Sequence, residues 1–131
     1  MHVQLCNDEG DETKEVGVGW SWSLFFLTPI FGFPLYQRGL DGAGKWVSAF
    51  CVGTLAVARF DHKMGDRLSD ESFALLGLVE LALLLTFIGI SVFFAVKGNE
   101  LTGKKLLDNG WRFVDESDFA TQFARAKWSL A

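Results

Sequence analysis

The sequence predicts an all-α fold: a small integral membrane protein built as a helical hairpin of two membrane helices. A proline-broken apolar segment precedes the hairpin, and a helical polar tail follows it. Three observations predict this. Half of the 131 residues are apolar and 15% are aromatic, including 13 Phe and 5 Trp. These residues gather into blocks instead of recurring at amphipathic spacing, the pattern of chains that prefer hydrocarbon. The last block, Phe73–Val96, has 24 residues with one ionisable group, Glu80. At helical rise that block extends about 36 Å, enough to cross a bilayer core of about 30 Å with some tilt.

Residues 1–19 form a polar head in which Asp8, Glu9, Asp11, Glu12 and Glu15 stand against Lys14. With so little apolar mass the head is expected to be mobile. It has no basic stretch leading into an apolar one and no Gly after Met1, so neither a cleaved secretory signal nor an N-terminal lipidation box is expected. Cys6 in the head and Cys51 in an apolar block read as free thiols.

The first block, Trp20–Tyr36, is uncharged and interrupted by Pro29, Gly32 and Pro34. Proline removes a backbone donor and clashes with the preceding turn, so no straight helix runs throughout. The block is either a kinked short span or a segment that enters and returns on one side; its length and prolines weigh for the second. A returning segment needs cover from neighbouring helices, because unpaired backbone is not tolerated in lipid. Trp20, Trp22 and Tyr36 lie at its ends as interfacial anchors.

A glycine-rich joint, 37–45, leads to the second block, Trp46–Phe60. Its uncharged core reaches only from Trp46 to Ala58, long enough to cross if Lys45 and Arg59 snorkel outward. Trp46 is a further interfacial anchor. Ala49 and Gly53 form a small-xxx-small pair that, with Gly77 on the third block, is a candidate helix-packing surface. Residues 61–72 make a charged turn in which Ser69, Asp70 or Ser72 caps the next helix.

The third block ends at Val96, and the membrane region is therefore 20–96, with the tail occupying 97–131. A short tail helix is expected from about Glu100 to Asn109, with Gly110 as its C-cap. A second is expected near 116–130, capped by Asp115 or Ser117. Phe119, Phe123, Ala126 and Leu130 fall on one face of it. That stripe, with Trp128 nearby, either lies on the membrane interface or packs on the preceding helix.

Cation placement orients the chain. With two crossings, Lys14, Arg38, Lys45, Lys97, Lys104, Lys105 and Arg112 share one side, and Arg59, Lys63 and Arg67 face the other. The positive-inside rule then puts both termini in the cytoplasm.

The run Trp20-Ser21-Trp22-Ser23-Leu24-Phe25-Phe26, then Pro29, Phe31 and Tyr36-Gln37-Arg38, resembles the opening of a family of small bacterial inner-membrane proteins known as a domain of unknown function. Its motif reads Phe-Ser-Trp-x-x-Phe-Phe-x-x-Pro-x-Trp followed by Tyr-Arg-Lys. Gly98-Asn99-Glu100, Leu106-Leu107 and Gly110-Trp111 are similar to the family's short polar tail. The likeness spans about residues 20–113. Trp20 stands where the family has Phe, Phe31 where it has a later Trp, and Pro34 is extra. The resemblance implies a bacterial inner-membrane protein and brings no activity with it.

Chemistry is sparse. An ionisable group inside an apolar span is costly and is a functional candidate by default, so Glu80 is the candidate intramembrane polar site. It could hydrogen-bond Ser48 or Thr54, pair with Arg59, or serve an ion path. The turn residues Asp61, His62, Asp66, Asp70 and Glu71 lack the clustered ligands that make a metal signal specific. No nucleophile elbow occurs, and Gly42-Ala43-Gly44-Lys45 lacks the spacing and the hydroxyl of a phosphate loop. No enzyme activity, cofactor or metal is expected. A net charge of −4 disfavours nucleic acid as a partner. The expected partners are the lipid bilayer and a membrane protein or a second copy of the chain. Three functions compete: an adaptor or envelope regulator acting through protein contacts, an ion or small-solute transport component using Glu80, and a soluble helical domain with the blocks as its core.

Overall fold

The computed structural model describes residues 1–130 and is mostly helical, with one small antiparallel sheet. In chain order the elements are strands β1 (His2–Cys6) and β2 (Thr13–Gly17), helices α1 (Trp22–Leu27), α2 (Phe33–Gln37), α3 (Asp41–Met64) and α4 (Asp70–Asp108), strand β3 (Arg112–Phe113) and helix α5 (Phe119–Lys127). The sheet order is β2-β1-β3. The expectation of an all-α chain is corrected by this sheet, and its cause lies in the head.

Val3 and Leu5 alternate with polar neighbours, the two-residue period of a half-buried strand. Both are buried; Val3 pairs with Val16 of β2, and Leu5 pairs with Phe113 of β3. A hairpin of five residues a side is marginal alone. The tail supplies what the head lacks: Phe113, Ala124 and Trp128 complete a core with Val3, Leu5 and Val16. The head is therefore a folded hairpin, and head and tail form one small domain in which β1 packs against α5.

That domain is built on the last turns of α4. The sequence suggests a break after Val96, yet α4 runs unbroken for 39 residues, from the Ser69 cap to Asn109. Gly98 interrupts no helix because its missing Cβ is filled by a neighbour: any side chain there would collide with Leu24 of α1. Gly103 does the same for the indole of Trp128. Gly110, with φ 89°, ends the helix as expected.

Among the described residues only α4 is long and apolar enough to cross a membrane, which corrects the expectation of two such helices. α3 is 24 residues long, but Asp41 and Lys45 open it and Arg59, Asp61, His62 and Lys63 close it, so its apolar stretch is short. It runs antiparallel beside α4, with Phe50 against Phe87 at 4.8 Å near one end and Gly65 close to Phe73 at the other. The seam is a stripe of more buried positions, Val47, Cys51, Thr54 and Val57 on α3 and Leu83, Phe87, Ile90 and Phe94 on α4. Their three- and four-residue spacing is that of shallow helix crossing.

Residues 20–38 reverse direction. Ser21 N donates to Ala95 O (2.8 Å) at one end, and Arg38 bonds the Asn99 side chain at the other, so both ends meet α4 within about one helical turn. Pro34 sits near the start of α2, where its missing N–H costs nothing. The reversal passes through Phe31 and Gly32, both at positive φ, with Gly32 packed on Val47. α1, α2, α3 and α4 share the core of Leu24, Leu35, Val47, Cys51 and Phe94.

Candidate functional site

The polar centre of the molecule lies where the apolar half of α4 gives way to the head–tail domain. Asn99 is almost fully buried there, three residues past Val96. Its Nδ2 donates to Gly19 O (3.0 Å), and its Oδ1 accepts from Arg38 Nη1 (2.5 Å). Arg38 Nη2 also reaches Ser21 Oγ and Ser23 Oγ, each at 3.4 Å. Ser21 is itself fixed, because its Oγ accepts from Leu24 N as the cap of α1. Gly17 of β2 lies against the Asn99 amide, tying the head hairpin to the same point.

Arg38 is half-buried, and every acceptor around it is neutral. Among the described residues no carboxylate pairs with it. Desolvation pushes its pKa down from the ordinary guanidinium value, yet a guanidinium keeps its proton in proteins. The result is a held cation without a counter-ion. A cleft opens on each side of it. One, about 430 Å³, is walled by Trp20, Ser21, Trp22, Ser23, Asn99 and the β2 backbone. The other, about 720 Å³, adds Lys14 and Lys105. Lys105 Nζ donates to Gly39 O, and Lys14 sits over the Trp111 ring. Glu15 is the one carboxylate on both walls. The arrangement suits an anion.

The residues singled out from sequence fare unevenly. Glu80 lies on the α3-facing side of α4 and is half-exposed. Ser48 instead donates to Phe31 O (2.6 Å) and Thr54 to Phe50 O (2.9 Å), and Arg59 forms no ion pair with Glu80. The packing surface of Ala49, Gly53 and Gly77 is corrected: Ala49 is exposed, and a Cβ added at Gly53 or Gly77 would meet open space. The small residues that admit close approach are Gly44, under the Tyr36 ring, and Gly98 and Gly103. In blocks that are apolar on every face, sequence does not reveal which face meets the neighbour.

Trp20, Trp22, Tyr36 and Trp46 are exposed. Trp20 and Trp22 pack edge to face at 5.4 Å, and Phe25 and Phe26 extend the cluster. Phe119 and Phe123 are exposed and stacked at 6.3 Å, whereas Leu130, at the far end of their stripe, packs with Leu106 and Leu107 of α4 against the domain core. The buried face of α5 is Thr121, Ala124 and Trp128. Trp128 as an interfacial anchor is therefore corrected: at 1% exposure it fills the domain core against Phe113. The α5 cap is Asp118, while Asp115 closes a local turn by accepting from Ser117 N and Oγ, which lowers its pKa.

Arg38, Ser21 and Asn99 were not candidates in the sequence as a site. Their signal was polarity out of place: a Ser-x-Ser and an Arg flanking an uncharged block, and an Asn just beyond an apolar run. Among the described residues no three metal-ligating side chains converge. No family model, curated protein or solved structure matches the chain. The resemblance over residues 20–113 thus rests on its motif residues alone.

Proposed function

We propose that the chain is a non-enzymatic integral membrane protein that holds its head–tail domain at the membrane surface and acts there through contacts with a membrane protein or a second copy of itself. One observation carries the membrane part: none of the most apolar stretch of α4 is buried inside the fold. Eleven large apolar side chains from Phe73 to Val96 are exposed. Each is about half in contact with its surroundings, so water around them would cost on the order of 10 kcal/mol, as much as a whole domain's stability. That argues against the soluble alternative. The motif resemblance and the excess of cations at the domain end support a bacterial inner membrane with that domain in the cytoplasm.

Washing membranes with alkaline carbonate tests the reading. The chain is expected to stay in the pellet and to leave it only with detergent; release into buffer overturns the proposal. Cross-linking in intact membranes tests the contact role, and a chain that stays monomeric and unlinked counts against it. A second reading, transport using Glu80, draws on the carboxyl's place in the α3–α4 seam without an ion partner. Ion flux into liposomes that Glu80→Gln abolishes would favour it.

A further inference from the structure

We infer that the cleft beside Arg38 holds the phosphate of a phospholipid headgroup. The inference rests on the membrane reading above. It starts from depth. Asn99 lies three residues beyond Val96, where the uninterrupted apolar run of α4 ends, and so about 5 Å past the hydrocarbon edge if that run fills the bilayer core, which is where headgroup phosphates sit. Trp20 and Trp22 wall the mouth of the cleft, and indoles settle at that same level.

The donors fit the ligand. Arg38 uses at most three of its five N–H groups on Asn99, Ser21 and Ser23, and those contacts fix the plane of the guanidinium. A fork held that way offers its remaining donors to two oxygens of one phosphate. The Ser23 hydroxyl is exposed at the rim, 3.0 Å from Ser21 Oγ, and adds a donor to the phosphate when it turns from that partner. Lys105 and Lys14 on the far side keep the local field positive against the single Glu15. The apolar flank of α1 (Trp22, Phe26) runs from the cleft into the hydrocarbon zone, a track for the acyl chains of the same lipid.

The test uses the full chain purified in mild detergent. Native mass spectrometry counts bound lipid after addition of phosphatidylglycerol, or of diacylglycerol, which has the same tails without the phosphate. A third arm adds inorganic phosphate as competitor. Phosphatidylglycerol is expected to be retained and diacylglycerol lost. Arg38→Gln should weaken retention about tenfold, the loss of one charge-assisted contact, with Arg38→Lys intermediate. Near-ultraviolet circular dichroism of each variant reports whether the fold persists; where Arg38→Gln does not fold, Ser23→Ala and the two lipids on the wild-type chain decide. Equal retention of both lipids overturns the headgroup assignment and leaves the membrane reading standing. Binding of inorganic phosphate with no preference for the phospholipid overturns the lipid source. Recovery of the chain in plain buffer overturns the membrane reading itself.

Discussion

The two halves of α4 belong to one helix and live in different surroundings. From Phe73 to about Ile90 the helix touches little but α3, and bulky side chains cover its outside. From Ser91 to Gly103 it is wrapped by α1, the sheet and α5, and apart from Phe94 the buried residues there are small or polar: Ser91, Ala95, Gly98, Asn99, Thr102 and Gly103. Size follows environment. A lipid face accepts any large apolar group, since fluid chains rearrange around it. A protein face is close-packed and accepts only what its neighbour leaves room for. The glycine spacing of α4 therefore has meaning only in its second half, where Leu24 and Trp128 occupy the space.

The sharpest way to break this comparison is to remove the largest buried side chain. Trp128→Ala should destabilise the head–tail domain by about 3–5 kcal/mol, read as loss of near-ultraviolet circular dichroism on denaturant titration in detergent. Trp46→Ala, at 80% exposure, should cost within about 0.5 kcal/mol in the same assay. Similar costs for the two would mean that the division of surfaces is wrong.

Adding bulk comes next. Gly98→Leu forces aside Leu24 and should cost about 1–3 kcal/mol or more, whereas Gly77→Leu and Gly89→Leu, which meet open space, should be neutral. Thermal melting of the detergent-solubilised variants separates the two classes.

The smallest effect concerns the boundary between the halves. Glu100 hydrogen-bonds Lys104 and Lys97, each at 2.8 Å, and these contacts lower its pKa. A lowered carboxylate pKa stabilises the fold above the group's ordinary value and ceases to do so as pH falls through the folded one. Glu100→Gln should therefore cost a few tenths of a kcal/mol near neutral pH and nothing in acid, because exposed pairs are weak. Stability measured at both pH values checks it.

The apolar run of α4 and the Gly110 stop were legible because each depends on local composition; the cap was narrowed to Ser69, Asp70 or Ser72, and the charged turn is shorter than 61–72 because α3 runs to Met64 and α4 starts at Asp70. The break in the first block was legible from its prolines; the sequence left a kinked span and a returning segment open, and the fold shows the chain reversing at Phe31 and Gly32. The sheet was harder: Val3 and Leu5 carry the strand period, but their partners Phe113 and Trp128 lie more than a hundred residues away. A count of apolar mass within the head alone therefore misleads. The continuity of α4 was missed for a related reason, since Gly98 and Asn99 look like a break until Leu24 and Arg38 are placed against them. The Arg38 cleft assembles residues 21, 23, 38 and 99, whose proximity only the tertiary fold creates. The α3–α4 seam was hidden because the outward-facing and protein-facing sides of these helices are equally apolar.

The central claim is that the outer face of α4 meets hydrocarbon. Nitroxide labels at Leu78, Leu85 and Val92, in a chain with Cys6 and Cys51 replaced by Ser and reconstituted in vesicles, test it most directly. All three should collide readily with dissolved oxygen and hardly at all with a water-soluble nickel chelate. Strong collision with the chelate, or protection from both reagents in plain buffer, would contradict it.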